Sequence, residues 1–159
     1  MFIRIAVVIT ALSLSAMAQD HAMLPNPKLT PGATDPKVTQ KTILKTICQP
    51  GYTATVRNVT AAEKRQVMER YGLPESELSK VEIDHFISLE IGGSNDITNL
   101  WPEYYDPATG QRNYLGARDK DVIETHFHRE ICAGAMTLLD AQERIKHWPE
   151  EYKKLKGGE

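Results

Sequence analysis

The chain has 159 residues with 41% apolar side chains, 19 Lys and Arg against 21 Asp and Glu, and a formal net charge of -2. That length suits one domain with a core of its own, and ordinary apolar content with balanced charge excludes wholesale disorder, a collagen-like chain and a polytopic membrane protein. A slightly acidic chain also cannot hold nucleic acid through bulk positive charge, so any contact with a polyanion has to be local.

The first eighteen residues read as a secretory signal peptide. A short basic start with Arg4 leads into the apolar run Ile5 to Leu14 and a small-residue end at Ser15-Ala16-Met17-Ala18. The run is too short to span a bilayer, which takes about 20 apolar residues, and cleavage is expected after Ala18. An uncleaved N-terminal anchor is the alternative. In either case the remainder is expected to be exported, periplasmic or secreted, with no stable membrane association once the segment is removed. Residues 19–37 carry Pro25, Pro27, Pro31 and Pro36 and few large apolar side chains, which predicts an extended arm running over the surface. Residues 38–159 form the domain.

Within that domain, Val38 to Cys48 fits either a strand or a short helix, and Pro50-Gly51 forces a turn. Thr60 followed by Glu63 is a capping box, and with Val67, Met68 and Tyr71 inward and Gly72 after them it predicts a packing helix. Val81 to Ile91 alternates. Val81, Ile83, His85, Ile87, Leu89 and Ile91 share one side, which predicts a strand, and Gly92-Gly93-Ser94-Asn95 predicts a hairpin return through Ile97 to Trp101. A loop rich in Tyr, Pro and Gly is expected from Glu103 to about Gly116.

Arg118 to Cys132 has Ile123, Phe127 and Ile131 at four-residue spacing and reads as an amphipathic helix ending at Gly134. Its other side carries Asp121, Glu124 and His128 in one stripe. A last helix starts at Thr137, whose side chain can cap towards Asp140; Pro149 interrupts or ends it, and Lys153 to Glu159 is expected to fray. The cysteines are Cys48 and Cys132, and one pair in an exported chain predicts a disulfide. Two buried thiols are the alternative. A zinc knuckle is excluded because Cys-x-x-Cys pairs are missing.

Asp84-His85 carries the chemistry. A histidine among aliphatic neighbours is ordinarily a satisfied core residue, but the string Glu82-Ile83-Asp84-His85-Phe86-Ile87-Ser88-Leu89-Glu90-Ile91-Gly92-Gly93-Ser94-Asn95-Asp96-Ile97-Thr98-Asn99-Leu100-Trp101-Pro102 resembles the HNH endonuclease motif, the ββα-metal or His-Me finger. The similarity covers about residues 79–132 and extends to a branch of short exported bacterial proteins through Ile131-Cys132-Ala133-Gly134. It implies an α+β fold in which a small β-hairpin plus helix is embedded in a mostly helical single domain. It also implies a metal-dependent endonuclease acting on DNA, with RNA as an alternative substrate, and leaving a 5′-phosphate.

In that family His85 corresponds to the general base, Asp84 to a ligand of the metal, and Asn99 to the middle asparagine that orients the histidine; Asn95 is the fallback for that last role. One divalent ion is expected, Mg²⁺ first and Mn²⁺, Ca²⁺ or Zn²⁺ as alternatives. Most members place a His or Asn ligand in the first turns of the helix, where this chain has the stripe Asp121, Glu124 and His128. Glu124 and His128 form the best pair to share an ion with Asp84. Early acidic residues and a late histidine also suit the helix dipole without any metal.

Arg112, Arg118 and Lys120 are candidates for phosphate contact, with a solvated face as the plain alternative. Trp101, Tyr104, Tyr105 and Tyr114 could stack on bases, although aromatic residues beside a hairpin more often pack. A small acidic chain without a reading helix is expected to have little sequence specificity and to act as a monomer. Two rival functions remain: a non-catalytic exported DNA-binding or uptake protein, and a metal-dependent hydrolase of small phosphate esters.

Overall fold

The computed structural model describes residues 22–107, 111 and 113–157, so the expected signal peptide and Arg112 lie outside the described residues. The described residues form an α+β fold: helices α1 (Tyr52–Val56) and α2 (Ala61–Arg70), strands β1 (Val81–His85) and β2 (Leu100–Tyr104), and helices α3 (Ala117–Cys132), α4 (Leu138–Arg144) and α5 (Trp148–Gly157). Among these residues no helix is long and apolar enough to cross a membrane.

The two strands pair antiparallel, with Val81 opposite Tyr104, Ile83 opposite Pro102 and His85 opposite Leu100. Because side chains alternate along a strand, these pairs share one face of the hairpin. Val81, Ile83, Leu100 and Tyr104 pack there with Val67 and Met68 of α2. The opposite face carries Glu82, Asp84, Trp101 and Glu103 and meets α3. The hairpin is thus apolar on the α2 side and largely acidic on the α3 side.

Helix α2 begins as its capping box predicts: Thr60 Oγ1 accepts from the Glu63 N–H at 3.2 Å and a Glu63 carboxylate oxygen accepts from the Thr60 N–H at 2.7 Å. Thr137 caps α4 through the Asp140 N–H at 3.1 Å. Pro149 follows an interruption of the last helix without ending it, a 3-10 turn at Ile145–His147 separating α4 from α5. It lies in the first turn of α5, where a missing N–H costs nothing, and that helix runs to Gly157 instead of fraying from Lys153.

Between β1 and β2 the structure departs from simple alternation. The strand stops at His85, and Phe86, Ile87, Leu89 and Ile91 are all buried. The cause is Asn99. Its side chain accepts from the Ile87 N–H at 2.9 Å and donates to the Ile87 carbonyl at 2.9 Å, so one amide takes the place of a neighbouring strand. The freed chain turns through Ser88 to Gly93. A Cβ on Gly93 would lie 1.7 Å from the Ile87 carbonyl oxygen, so that position admits no side chain.

The main core collects α3, α4, α5, this turn and the 38–48 segment around Ile91, Ile123, Phe127, Ile131, Ile145 and Trp148. The 38–48 segment is neither a strand nor a regular α-helix; it holds one 3-10 turn at Ile43–Lys45. A disulfide joins Cys48 to Cys132 at a Cα–Cα distance of 5.6 Å and staples this segment to the end of α3.

The proline-rich arm is more than a surface run. Thr30 is fully buried and donates to the Leu100 carbonyl at 2.9 Å, Thr34 bridges to Gly93, and Ala33 N–H donates to Asn99 Oδ1 at 3.2 Å. The arm therefore straps the connection that carries the histidine.

Candidate functional site

The site lies where the acidic face of the hairpin meets the first half of α3. Gly116 N–H donates to Asp119 Oδ2 at 3.0 Å and starts that helix. One turn later Lys120 projects onto the hairpin and is wholly buried, at 0% exposure. Its ammonium donates to Asp84 Oδ2, to Glu124 Oε1 and, at 2.9 Å, to the His85 carbonyl, and it lies 3.8 Å from Glu103 Oε2. Ser88 Oγ donates to the other Glu124 oxygen at 2.8 Å.

These contacts set the protonation states. Burial works to raise the Asp84 carboxyl, but the charge and hydrogen bond of Lys120 outweigh it and hold Asp84 below the ordinary range. Burial pushes Glu124 up to about 7 against the opposing pull of Lys120. Glu103 is 1% exposed, and neither of its oxygens accepts from a donor among the described residues; its carboxyl faces Asp84, with which it shares a hydrogen bond when protonated. Burial, opposed by Lys120 and reinforced by repulsion from Asp84, holds Glu103 well above the carboxylate range, so it favours the neutral form. Burial also works to lower the Lys120 pKa, yet Asp84, Glu124 and Glu103 together hold it well above its usual value.

His85 is 1% exposed and its Nε2 lies 3.1 Å from Asn95 Oδ1. Two backbone groups orient that amide: Asn95 Nδ2 donates to the Val56 carbonyl at 2.8 Å, and the Asn58 N–H donates to Asn95 Oδ1 at 3.1 Å. The oxygen therefore faces His85, and in the neutral ring Nε2 must carry the proton. Nδ1 is left as an unprotonated nitrogen, buried and without a hydrogen-bond partner among the described residues. Burial lowers the His85 pKa, with Asp84 opposing, and so favours the neutral ring.

Asn99 does not touch the imidazole. It holds the backbone two residues beyond His85 and also donates to the Ser94 carbonyl at 2.8 Å, so it builds the loop while Asn95 sets the ring. The stripe on α3 does not close on one point. Glu124 joins Asp84 through Lys120, whereas Asp121 stays at the exposed rim, where partial desolvation by its neighbours and repulsion from Asp84 raise its carboxyl. His128 turns away, with Nε2 2.9 Å from the Ile47 carbonyl beside the disulfide. It forms a group with Cys48 and Cys132, but the two sulfurs are bonded to each other and are not thiolate ligands in this state.

Lys120 is not a surface phosphate contact: all three of its N–H donors are taken inside the protein. Arg118 is exposed at the start of α3, and its charge reaches Asp121 and Tyr105. Trp101 and Tyr104 are buried in the hairpin, and Tyr105 is partly exposed near the rim. Glu103, Ser88 and Arg57 were not singled out by sequence pattern. Arg57 stands between the two residues that clamp Asn95, and its charge reaches Glu82, His85 and Asp121.

The hard oxygen donors Asp84, Glu124 and Glu103 fit a divalent cation such as Mg²⁺ or Ca²⁺ better than a soft metal. The ammonium in their midst means that any such ion must share Asp84 with Lys120. Comparisons with protein-family models, curated proteins and solved structures found no match to this chain.

Proposed function

We propose that the chain is an exported, divalent-cation-dependent endonuclease that hydrolyses phosphodiester bonds of DNA, and of RNA as an alternative substrate, with little sequence specificity. In this reading the hairpin and α3 make up a ββα-metal unit. The observation that supports it most is the pairing of adjacent residues: Asp84 in a carboxylate cluster, and His85 with one ring nitrogen fixed as donor and the other left as acceptor.

A phosphodiester resists attack because its anionic oxygens repel a nucleophile and its alkoxide leaves poorly. Asp84 would hold a divalent ion, whose positive charge would act against both. His85 Nδ1 takes the proton from the water that attacks phosphorus. Asn95 keeps the other proton on Nε2 throughout, and the negative Asp84 favours the imidazolium as it forms. Lys120 holds Asp84 in place, and Arg118 and Arg57 at the rim are placed to meet flanking phosphates.

A second reading, a non-catalytic nucleic-acid-binding protein, draws on two observations: Lys120 already pairs with Asp84 and Glu124, and His85 is almost fully enclosed. Incubating the oxidised protein with supercoiled plasmid, with and without EDTA and beside His85→Ala, separates the two. Nicking that needs the metal and the histidine supports hydrolysis. Intact plasmid with retained binding supports the second reading.

A further inference from the structure

Lys120 has no part in the proton transfer, yet it is the most completely enclosed charge described at the site. Four oxygens converge on its nitrogen: Asp84 Oδ2, Glu124 Oε1, the His85 carbonyl and, at 3.8 Å, Glu103 Oε2. Three carboxyl groups and one carbonyl are the oxygen donors a hard divalent cation takes, Glu103 releasing its proton as the ion binds. An ammonium has three donors, and here all three are spent on the first three oxygens. Glu103 is left buried with neither oxygen within hydrogen-bond reach of the ammonium, so the shell offers more oxygen than the ammonium can satisfy.

We infer that Lys120 is the resident cation of this oxygen shell. It closes the deep position to divalent ions in the native protein, and that position becomes a divalent-cation site when the ammonium is removed. An ion that serves Asp84 in the native chain is then held from its solvent side, a clause that rests on the nuclease reading. The shell itself does not depend on turnover.

The test is thermal unfolding of the oxidised wild-type chain and of Lys120→Ala, in EDTA and in MgCl₂, CaCl₂ or MnCl₂ at constant ionic strength. The variant melts lower in EDTA and recovers by about 4 °C at an ion concentration roughly tenfold above its Kd, from ordinary linkage. The wild type shifts by less than about 1 °C by the same linkage, and Lys120→Ala/Glu103→Gln recovers less than Lys120→Ala. No ion response in Lys120→Ala, or an equal response in the wild type, overturns the inference.

If Lys120→Ala does not fold in any ion, the wild-type ammonium decides. Nitrogen-15 NMR of lysine side chains reads one protected, slowly exchanging signal. Its persistence under saturating Mg²⁺ supports the inference, and its loss or displacement overturns it. Neither readout uses cleavage, so an inactive protein leaves both intact.

Discussion

The two halves of α3 differ in the polar surface they bury, although both enter the core, the first through Ile123. From Ala117 to Glu124 the helix turns Lys120 and Glu124 onto the acidic face of the hairpin; from Phe127 to Cys132 it turns Phe127 and Ile131 into hydrocarbon and ends in a disulfide. Burying one large apolar side chain stabilises by about 1.5 to 3 kcal/mol, and the bridge adds roughly 2 to 5 kcal/mol, whereas a buried ion cluster is often close to neutral against an apolar replacement. The second half therefore anchors the helix, and the first half holds a charge cluster that adds little net stability as a set, although removing Lys120 alone strands its partners. One rigid element carries both, so the anchor positions the site.

The sharpest test of this division is His85→Ala, which is expected to lower metal-dependent nicking by about 10²- to 10⁴-fold, as loss of a general base does, with an unchanged far-UV spectrum. A residual rate near wild type breaks the assignment. On the anchoring side, Phe127→Ala is expected to lose about 3 to 5 kcal/mol in urea unfolding, and Cys48→Ser/Cys132→Ser about 2 to 5 kcal/mol. Cleavage per folded molecule should hold in both; a parallel fall in rate shows that the halves are not separable.

Asn95→Ala releases the Nε2 proton from its fixed partner. About a tenfold loss of rate is expected, the equivalent of one hydrogen bond of about 1.4 kcal/mol, with a smaller effect on unfolding. Asn99→Ala should do the reverse, since it removes loop bonds before it affects the ring.

Glu124 gives a pH signature. Burial raises its pKa to about 7 in the folded chain, so between the ordinary carboxylate range and about pH 7 the folded state keeps a proton that the unfolded state releases. Its contribution to stability is present at low pH and declines as pH rises through that window. Urea midpoints at pH 5 and pH 7 should therefore differ less in Glu124→Gln than in wild type, and an identical slope in both removes Glu124 as the cause. The smallest effect belongs to Arg118→Ala: an exposed rim charge should change plasmid nicking by no more than a few-fold, and mainly at low salt.

Much of this molecule was legible in local chemistry. The Thr60 and Thr137 caps, the periodicity of α3 and the glycine turn before the return strand depend on neighbours a few positions apart. So does the adjacency of Asp84 and His85. The cysteine pairing followed from having one pair to join. The hydrogen bonds of Asn99 to Ile87 were not legible, because an amide that substitutes for a strand leaves no periodic trace, and for that reason the alternation from Val81 to Ile91 overextends β1. The straps from the arm at Thr30 and Ala33 escaped for the same reason, as their partners lie some sixty to seventy positions away.

Lys120 marks the boundary most clearly. In the sequence it is a candidate for phosphate contact, with a solvated face as the plain alternative. By itself the sequence determined the capped starts of α2 and α4, the amphipathic course of α3 and which two residues stand side by side on β1, because those outcomes rest on capping, periodicity and adjacency. Only the tertiary structure decided that Asn95 and not Asn99 meets the imidazole, that His128 faces the disulfide segment, and that three carboxylates close around one ammonium. Those outcomes depend on which surfaces pack together and on the desolvation that packing imposes, and neither is encoded in the spacing of residues along the chain.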